Sequence, residues 1–300
     1  MNILITGCNG QLGHELIRCF APLGCLFASS RQTDEPNCRI DLANIDDIKN
    51  KLELIQPQLI LNAGAYTAVD QAEIDFEQAL KINAQAPTVL ARYAAKNDIP
   101  LIHFSTDYVF NGNSQQAYLE SDPIEPVNRY GESKYQGEQA ILESGCKHLI
   151  FRTSWVYSGR GKNFMLTMLK LANTQTELNI VSDQLGTPTW ARSLAQLCNT
   201  AVIDCLSRKK WPSGIYHLSS TGQTSWHGFA DRIFQLAAQL GIISAPPLCH
   251  PVETTAFPTP AKRPAFSVLD NAKFSHTFEL NVPSWQQQLQ WCIEDLQHSQ

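Results

Sequence analysis

The short run NILIT at 2–6 breaks directly into GCNGQLG at 7–13, and HELIRCFAP follows at 14–22 with helical spacing. NILIT is apolar and carries β-branched residues, so it reads as a buried strand. Leu16, Ile17 and Phe20 share one helix face. Glycines 7, 10 and 13 therefore lie between a first strand and a first helix. Such a G-x-x-G-x-x-G series is weak when isolated, because many turns use glycine. In this position it is the pattern of a dinucleotide-binding turn. Gly7 would permit the tight turn, Gly10 a close approach of backbone to a pyrophosphate, and Gly13 close packing of helix on sheet. The main-chain N–H groups of Gln11 and Leu12 would face the phosphates.

CLFAS at 25–29, LILNA at 59–63, LIHFS at 101–105 and HLIFRTS at 148–154 are further strand candidates. Helical periodicity covers 45–54, 70–96 with a break, and 130–144. Alternation of this kind builds a parallel sheet covered on both faces. The expected fold is α/β, a Rossmann-type doubly wound parallel sheet. Further along, 163–175, 224–240 and 284–297 read as helices, and GIYHL at 214–218 as a strand. Seven prolines from Pro246 to Pro283 restrict long helices and favour loops around a pocket. This second part reads as a smaller mixed α/β substrate-binding region. The division expected is 1–155 mainly for the dinucleotide and 156–300 mainly for the substrate, with some segments returning to the first part.

An apolar fraction of 43% against 17% charged residues supplies a sizeable core and argues against disorder. A net charge of −5 argues against a general nucleic-acid binder. The N-terminus lacks a charged segment followed by a long apolar run, and no apolar stretch reaches the length of a membrane span. Nine scattered cysteines, with no CxxC pair, suit a reducing compartment. A cytoplasmic protein with no membrane partner is expected.

The end of the second strand bears on which dinucleotide is held. An acidic residue there would bind ribose hydroxyls and repel a 2′-phosphate. This chain reads Ser29-Ser30-Arg31, and Ser30 with Arg31 would hold that phosphate. NADPH is the expected cofactor, with NADH as the alternative. Asp41 and Leu42 would line the adenine pocket, and Asn62-Ala63-Gly64-Ala65 ends a strand where the cofactor should cross.

In LIHFSTDYVF at 101–110, Ser105, Thr106 and Asp107 stand at the carboxyl end of an apolar strand, where ligands bind in a doubly wound sheet. In YGESK at 130–134, Tyr130 and Lys134 share a helix face. A hydride acceptor carbonyl needs an acid beside its oxygen. Tyr130 would give that proton, Lys134 would lower the phenol's pKa or bind the nicotinamide ribose, and Thr106 would hold the same oxygen as charge develops. Lys162, Asn163, Lys262 and Arg263 are candidates for a nucleotide diphosphate.

Taken in order along the chain, TGCNGQLG, NAGAYTAVDQAE, STDYVFNG, NRYGESKYQGE, FRTSWVYSGRGKNF, DQLGTPT, GIYHLSSTGQTSW and TTAFPTPAKRPAFSVLD resemble the extended short-chain dehydrogenase/reductase superfamily and, within it, the dTDP-4-dehydrorhamnose reductases. The resemblance implies a catalytic trio of Thr106, Tyr130 and Lys134, with Asp107 and Trp155 around the sugar. It implies NADPH-dependent reduction of the 4-keto group of dTDP-4-dehydro-L-rhamnose to dTDP-L-rhamnose, for cell-surface polysaccharide such as lipopolysaccharide. Residues 156–300 then become mainly the nucleotide-sugar region. A 4,6-dehydratase would carry Asp-Glu after the threonine, whereas Asp107-Tyr108 stands here. A 4-epimerase shares the Tyr and Lys, and the C-terminal motifs favour the reductase over it. A non-catalytic NADP-binding subunit, resembling the regulatory subunit of methionine adenosyltransferase, is the rival outside enzymes.

Some reductases of this kind bind Mg2+ through glutamates at a dimer interface. Glu15 matches one such position, but Arg192 stands where another glutamate would be, and an arginine opposes a nearby cation. No metal site is expected. A homodimer is compatible with the resemblance, but not one built on that metal.

Overall fold

β1 (Asn2–Thr6) runs into the glycine turn, and α1 (Gln11–Phe20) rises from it. The structure is a computed structural model that describes residues 1–33, 35 and 38–298. Alternation continues through β2 (Cys25–Ser29), α2 (Ile45–Ile55), β3 (Leu59–Asn62), the short helices α3 (Val69–Ala72) and α4 (Phe76–Leu80), α5 (Ala86–Lys96), β4 (Leu101–Thr106), α6 (Arg129–Ser144) and β5 (His148–Thr153). The second half holds β6 (Val156–Tyr157), α7 (Phe164–Ala172), β7 (Glu177–Val181), β8 (Leu185–Gly186), β9 (Thr189–Trp190), α8 (Ala191–Ser207), β10 (Gly214–His217), β11 (Thr224–Ser225), α9 (Trp226–Gln239), β12 (Leu248–Val252), α10 (Ala272–Phe278) and α11 (Trp285–Gln297).

The main sheet has the order β10-β5-β4-β3-β1-β2, and every pairing in it is parallel. This is the expected Rossmann-type α/β sheet. The chain leaves β1 toward β2, then crosses back to place β3 on the other side. The loops after β1 and β3 thus flank the switch point, where an open parallel sheet leaves a crevice. β10 comes from the second half and closes the far edge.

One face of the sheet packs Ile3, Ile5, Leu61, Ile102 and Phe151 against Leu16 and Phe20 of α1 and against α8. The other packs Leu4, Ile60, Leu101 and Ile150 against α2, α5 and Ile141 of α6. Leu16 and Phe20 are wholly buried, and Phe20→Ala would cost about 3–5 kcal/mol. A separate core joins α7, α9 and α11, with Phe229, Ile233, Phe234, Leu289 and Ile293 at its centre.

Three local departures from expectation have physical causes. The break within 70–96 is wider than one kink: α3, α4 and α5 are distinct, and a π-helical turn spans Lys81–Gln85. Pro87 has no N–H for the preceding turn, and the widened turn absorbs that loss. The 17-residue α8 was not anticipated. Its buried face is Leu194, Cys198, Ala201, Val202 and Cys205, so small side chains blur the apolar signal. β12 includes Pro251, yet it pairs only with β7 in a two-stranded sheet, so it can spare an N–H.

Candidate active site

The glycine turn is packed to contact. Gly7 has φ +69°, in the left-handed region, and a Cβ on Gly13 would come within 2.2 Å of the Gly7 carbonyl oxygen. Gly10 is the N-cap of α1 and supplies no side-chain acceptor, which leaves the first N–H groups of α1 directed at the crevice. Together these features fit a pyrophosphate.

A cavity of about 610 Å³ opens over this turn. It is lined by Gly7, Gly10, Gln11, Leu12 and Gly13. It continues past Ser30, Arg31, Asp41 and Leu42 at one end, and Ala63, Gly64 and Ala65 along its floor. Thr106, Asp107, Tyr130, Lys134, Trp155 and Lys162 line the other end. The sequence-derived cofactor candidates and the catalytic trio thus meet in one space, at the carboxyl ends of β1–β4. Ser30 Oγ accepts from Asn9 Nδ2 at 2.9 Å, whereas Arg31 is exposed and makes no ion pair among the described residues.

Tyr130 sits in the first turn of α6. Asn128 caps that helix by accepting from Gly131 N at 2.8 Å, and it fixes the turn against the 262 region through Nδ2 to Lys262 O, also 2.8 Å. The Thr106 hydroxyl donates to Asp107 Oδ1 at 3.0 Å and accepts from Tyr108 N at 3.2 Å. It also lies within hydrogen-bonding reach of the Tyr130 phenol. Burial pushes Tyr130 up to about 12, with the Thr106 hydrogen bond pulling the other way. Burial likewise pushes Asp107 up to about 7, against hydrogen bonds from Ser267 and Thr106. Burial brings Lys134 down to about 8, opposed by Glu138.

Lys134 and Tyr130 share a helix face but make no hydrogen bond with each other. Lys134 Nζ instead donates to the Phe104 carbonyl at 2.6 Å and lies 3.4 Å from His103 Nε2. In this structure the amine is turned onto β4 rather than toward the phenol.

Two other candidates fall outside the cavity lining. Asn163 Nδ2 donates to Gln11 Oε1 at 2.9 Å and to Ser158 O at 2.8 Å, while its Oδ1 caps α7 at Leu166 N. Its polar atoms hold the 158–163 turn against α1. Arg263 pairs with Asp70 through both nitrogens, at 2.8 and 3.1 Å, and so ties the 259–263 loop to α3. Lys262 lies outside the lining as well, whereas Lys162 is on it.

Trp155 has φ +46° and stacks on Trp226 with ring centroids 3.5 Å apart. Its ring lies over Gly186, where a Cβ would come within 2.5 Å of ring carbon. Glu15, predicted to lack an acidic partner, is buried and ion-paired with Arg192 at 3.1 Å. Arg192 also reaches Asp295 at 2.7 Å. Among the described residues no group of three or more His, Cys, Asp or Glu side chains is arranged to hold a metal.

Sequence reasoning passed over His103 and Thr6. Both are buried and both belong to the site's supporting network. The available signal was a histidine inside the otherwise apolar strand LIHF, which must find hydrogen-bond partners when buried.

The doubly wound sheet, its glycine turn and the Thr-Tyr-Lys group on the cavity wall define an oxidoreductase of the short-chain dehydrogenase/reductase class. The profile of the family described as RmlD substrate binding domain matches residues 1–298. A dTDP-4-dehydrorhamnose reductase of Burkholderia thailandensis is 44% identical over 303 residues, covering 99% of each chain. That of Escherichia coli K12 is 44% identical over 286 residues, 95% of each chain. The crystal structure of a dTDP-4-dehydrorhamnose reductase from Bacillus anthracis, in complex with NADP, superposes with a TM-score of 0.87 at 34% identity, covering 98% of this chain and 99% of that one. The chain belongs to the dTDP-4-dehydrorhamnose reductase family.

Proposed function

We propose that the protein reduces the 4-keto group of dTDP-4-dehydro-L-rhamnose to the hydroxyl of dTDP-L-rhamnose, using NADPH, in the cytoplasm. The observation that carries this reading is the placement of Thr106, Tyr130 and Lys134 on the wall of the cavity into which the glycine turn opens. Residues 1–155 mainly serve the cofactor, and the second half mainly serves the nucleotide sugar.

NADPH supplies the hydride when bound. Gly7, Gly10, Gln11, Leu12 and Gly13 would hold its pyrophosphate, Asp41 and Leu42 its adenine, and Ser30 with Arg31 its 2′-phosphate. At the other end, Tyr130 donates its phenolic proton to the sugar C4 oxygen, and Thr106 donates a hydrogen bond to the same oxygen. The high proton affinity of Tyr130 keeps it in the acid form that this step needs. Lys134 lies deeper, where its role is to bind the nicotinamide ribose. Trp155 forms an apolar wall for the sugar, and Asp107 meets its hydroxyls. Asn163 acts on this pocket from behind, through Gln11, and Arg263 holds the 259–263 loop in place through Asp70.

The test incubates the purified protein with NADPH and enzymatically generated dTDP-4-dehydro-L-rhamnose. Cofactor oxidation should match formation of dTDP-L-rhamnose, identified by NMR. Cofactor binding without turnover would favour the non-catalytic reading. Much faster reduction of another nucleotide 4-keto sugar would keep the reaction and replace the substrate.

A further inference from the structure

Beneath Lys134 runs a buried line of polar groups that the reaction above does not use. Gly64 N donates to Thr6 Oγ1 at 3.1 Å. Thr6 Oγ1 lies 2.6 Å from Asn62 Oδ1, Asn62 Nδ2 lies 2.9 Å from His103 Nδ1, and His103 Nε2 lies 3.4 Å from Lys134 Nζ. Thr6, Asn62, His103 and Lys134 are each no more than 2% exposed, so no solvent intervenes. The line joins the loops at the switch point to the amine at the reacting end.

Its polarity follows from hydrogen counting. A 2.6 Å separation is ordinary for O–H···O and short for N–H···O, so the Thr6 hydroxyl donates to Asn62 Oδ1. With the amide reversed, the Thr6 hydrogen would have no acceptor among the described residues. The Asn62 NH2 therefore faces His103, and Nδ1 must accept. Burial and the nearby Lys134 charge hold His103 well below the ordinary imidazole range, so the ring is neutral. A neutral ring that accepts at Nδ1 carries its hydrogen on Nε2.

We propose that His103 is a positioning residue for the reduction: locked by Asn62 and Thr6 with its hydrogen on Nε2, it directs an N–H at Lys134 Nζ and so favours the neutral amine over the ammonium. The proposal rests on the reductase reading above and adds to it a device that sets the protonation state of Lys134 at the reacting end. The other groups facing Lys134 work around this contact. Phe104 O accepts one amine hydrogen. Glu138, one turn along α6, favours the ammonium, but both its oxygens are engaged by Arg152 at 2.9 and 2.7 Å. Tyr130 lies on the same helix face, and Asp107 and Tyr108 follow directly on β4. Proton movement ends at His103, since the Asn62 amide relays none.

The test uses the full-length protein with and without NADP. Nitrogen NMR of 15N-imidazole-labelled protein should find Nε2 protonated and Nδ1 bare from about pH 6 to about pH 9. Carbon NMR at the lysine Cε position reads the Lys134 titration, and the loss of kcat/KM at high pH reads it through turnover. His103→Leu removes the N–H and should move both upward by about one pH unit, a tenfold change in proton affinity. Asn62→Asp should capture the hydrogen on Nδ1, turn the Nε2 lone pair toward Lys134, and move both upward as well. NADPH affinity should stay within about threefold in both variants, which a general loosening of the site would not allow. A wild-type ring protonated on Nδ1 would overturn the proposal, as would variants whose Lys134 titration stays put or moves down. If no 4-keto sugar is reduced at all, the reductase reading fails, while the two NMR measurements still decide this inference.

Discussion

The Thr106 hydroxyl donates to Asp107 Oδ1 over 3.0 Å, at the end of β4 and within reach of the Tyr130 phenol. The carboxyl it meets is almost fully buried, and burial pushes its pKa up from 3.8 to about 7. The folded state therefore holds a proton that the unfolded chain releases near pH 4. Between these values folding stability falls as pH rises, and the contribution is complete only below the unfolded pKa. Asp107→Asn should flatten this dependence. Urea unfolding at about pH 4, 5.5 and 7 should show wild type losing stability relative to the variant, by the order of a few kcal/mol across the window. Lys134, brought down to about 8, acts in the opposite sense above that pH, so the comparison belongs below it.

Tyr130→Phe removes the proposed proton donor and leaves the cavity's shape. Turnover should fall by about 10²–10⁴-fold while NADPH affinity is retained. Single-turnover kinetics separates the chemical step from product release. A near-normal chemical step in the variant would assign the acid to another group.

Arg31 lines the cavity, is exposed and makes no ion pair among the described residues. Arg31→Ala should weaken NADPH by about tenfold, or about 1.4 kcal/mol, and NADH far less. The NADPH preference should also decline as salt rises. Equal losses for both cofactors would show that Arg31 does not read the 2′-phosphate.

Arg192 bridges buried Glu15 and half-exposed Asp295. Activity should therefore survive thorough chelation with EDTA. Arg192→Ala strands the Glu15 carboxylate and should lower the thermal midpoint, since removing one partner of a largely buried pair is costly. Activity lost on chelation and restored by Mg2+ alone would contradict this.

The parallel sheet was legible because its strands are apolar runs separated by helical periods, and the cofactor end because glycines bracket a turn that tolerates no Cβ. Tyr130 and Lys134 were legible as a pair by spacing alone. What the amine would touch was not, since two residues on one helix face can turn toward different neighbours, and Phe104 O competes for Lys134. The contacts of Asn163 and Arg263 were hidden for a related reason. An amide or guanidinium near a binding motif looks the same in a sequence whether it meets a ligand or an adjoining loop. α8 went unseen because Ala and Cys carry its buried face. His103 was visible as an oddity in LIHF, but its tautomer needed Asn62 and Thr6, which lie on other strands.

Trp155 and Trp226 lie far apart along the chain, yet they form one flat double layer beside the reacting end. Only the upper ring faces the cavity; the lower belongs to the first turn of α9 and carries no chemistry. The cavity wall that Trp155 forms can therefore be recut by replacing its backing. A smaller side chain at 226 would let the upper ring sink and admit a bulkier sugar, leaving the proton donor where it stands. Substrate choice in such a scaffold can drift through positions that never touch substrate.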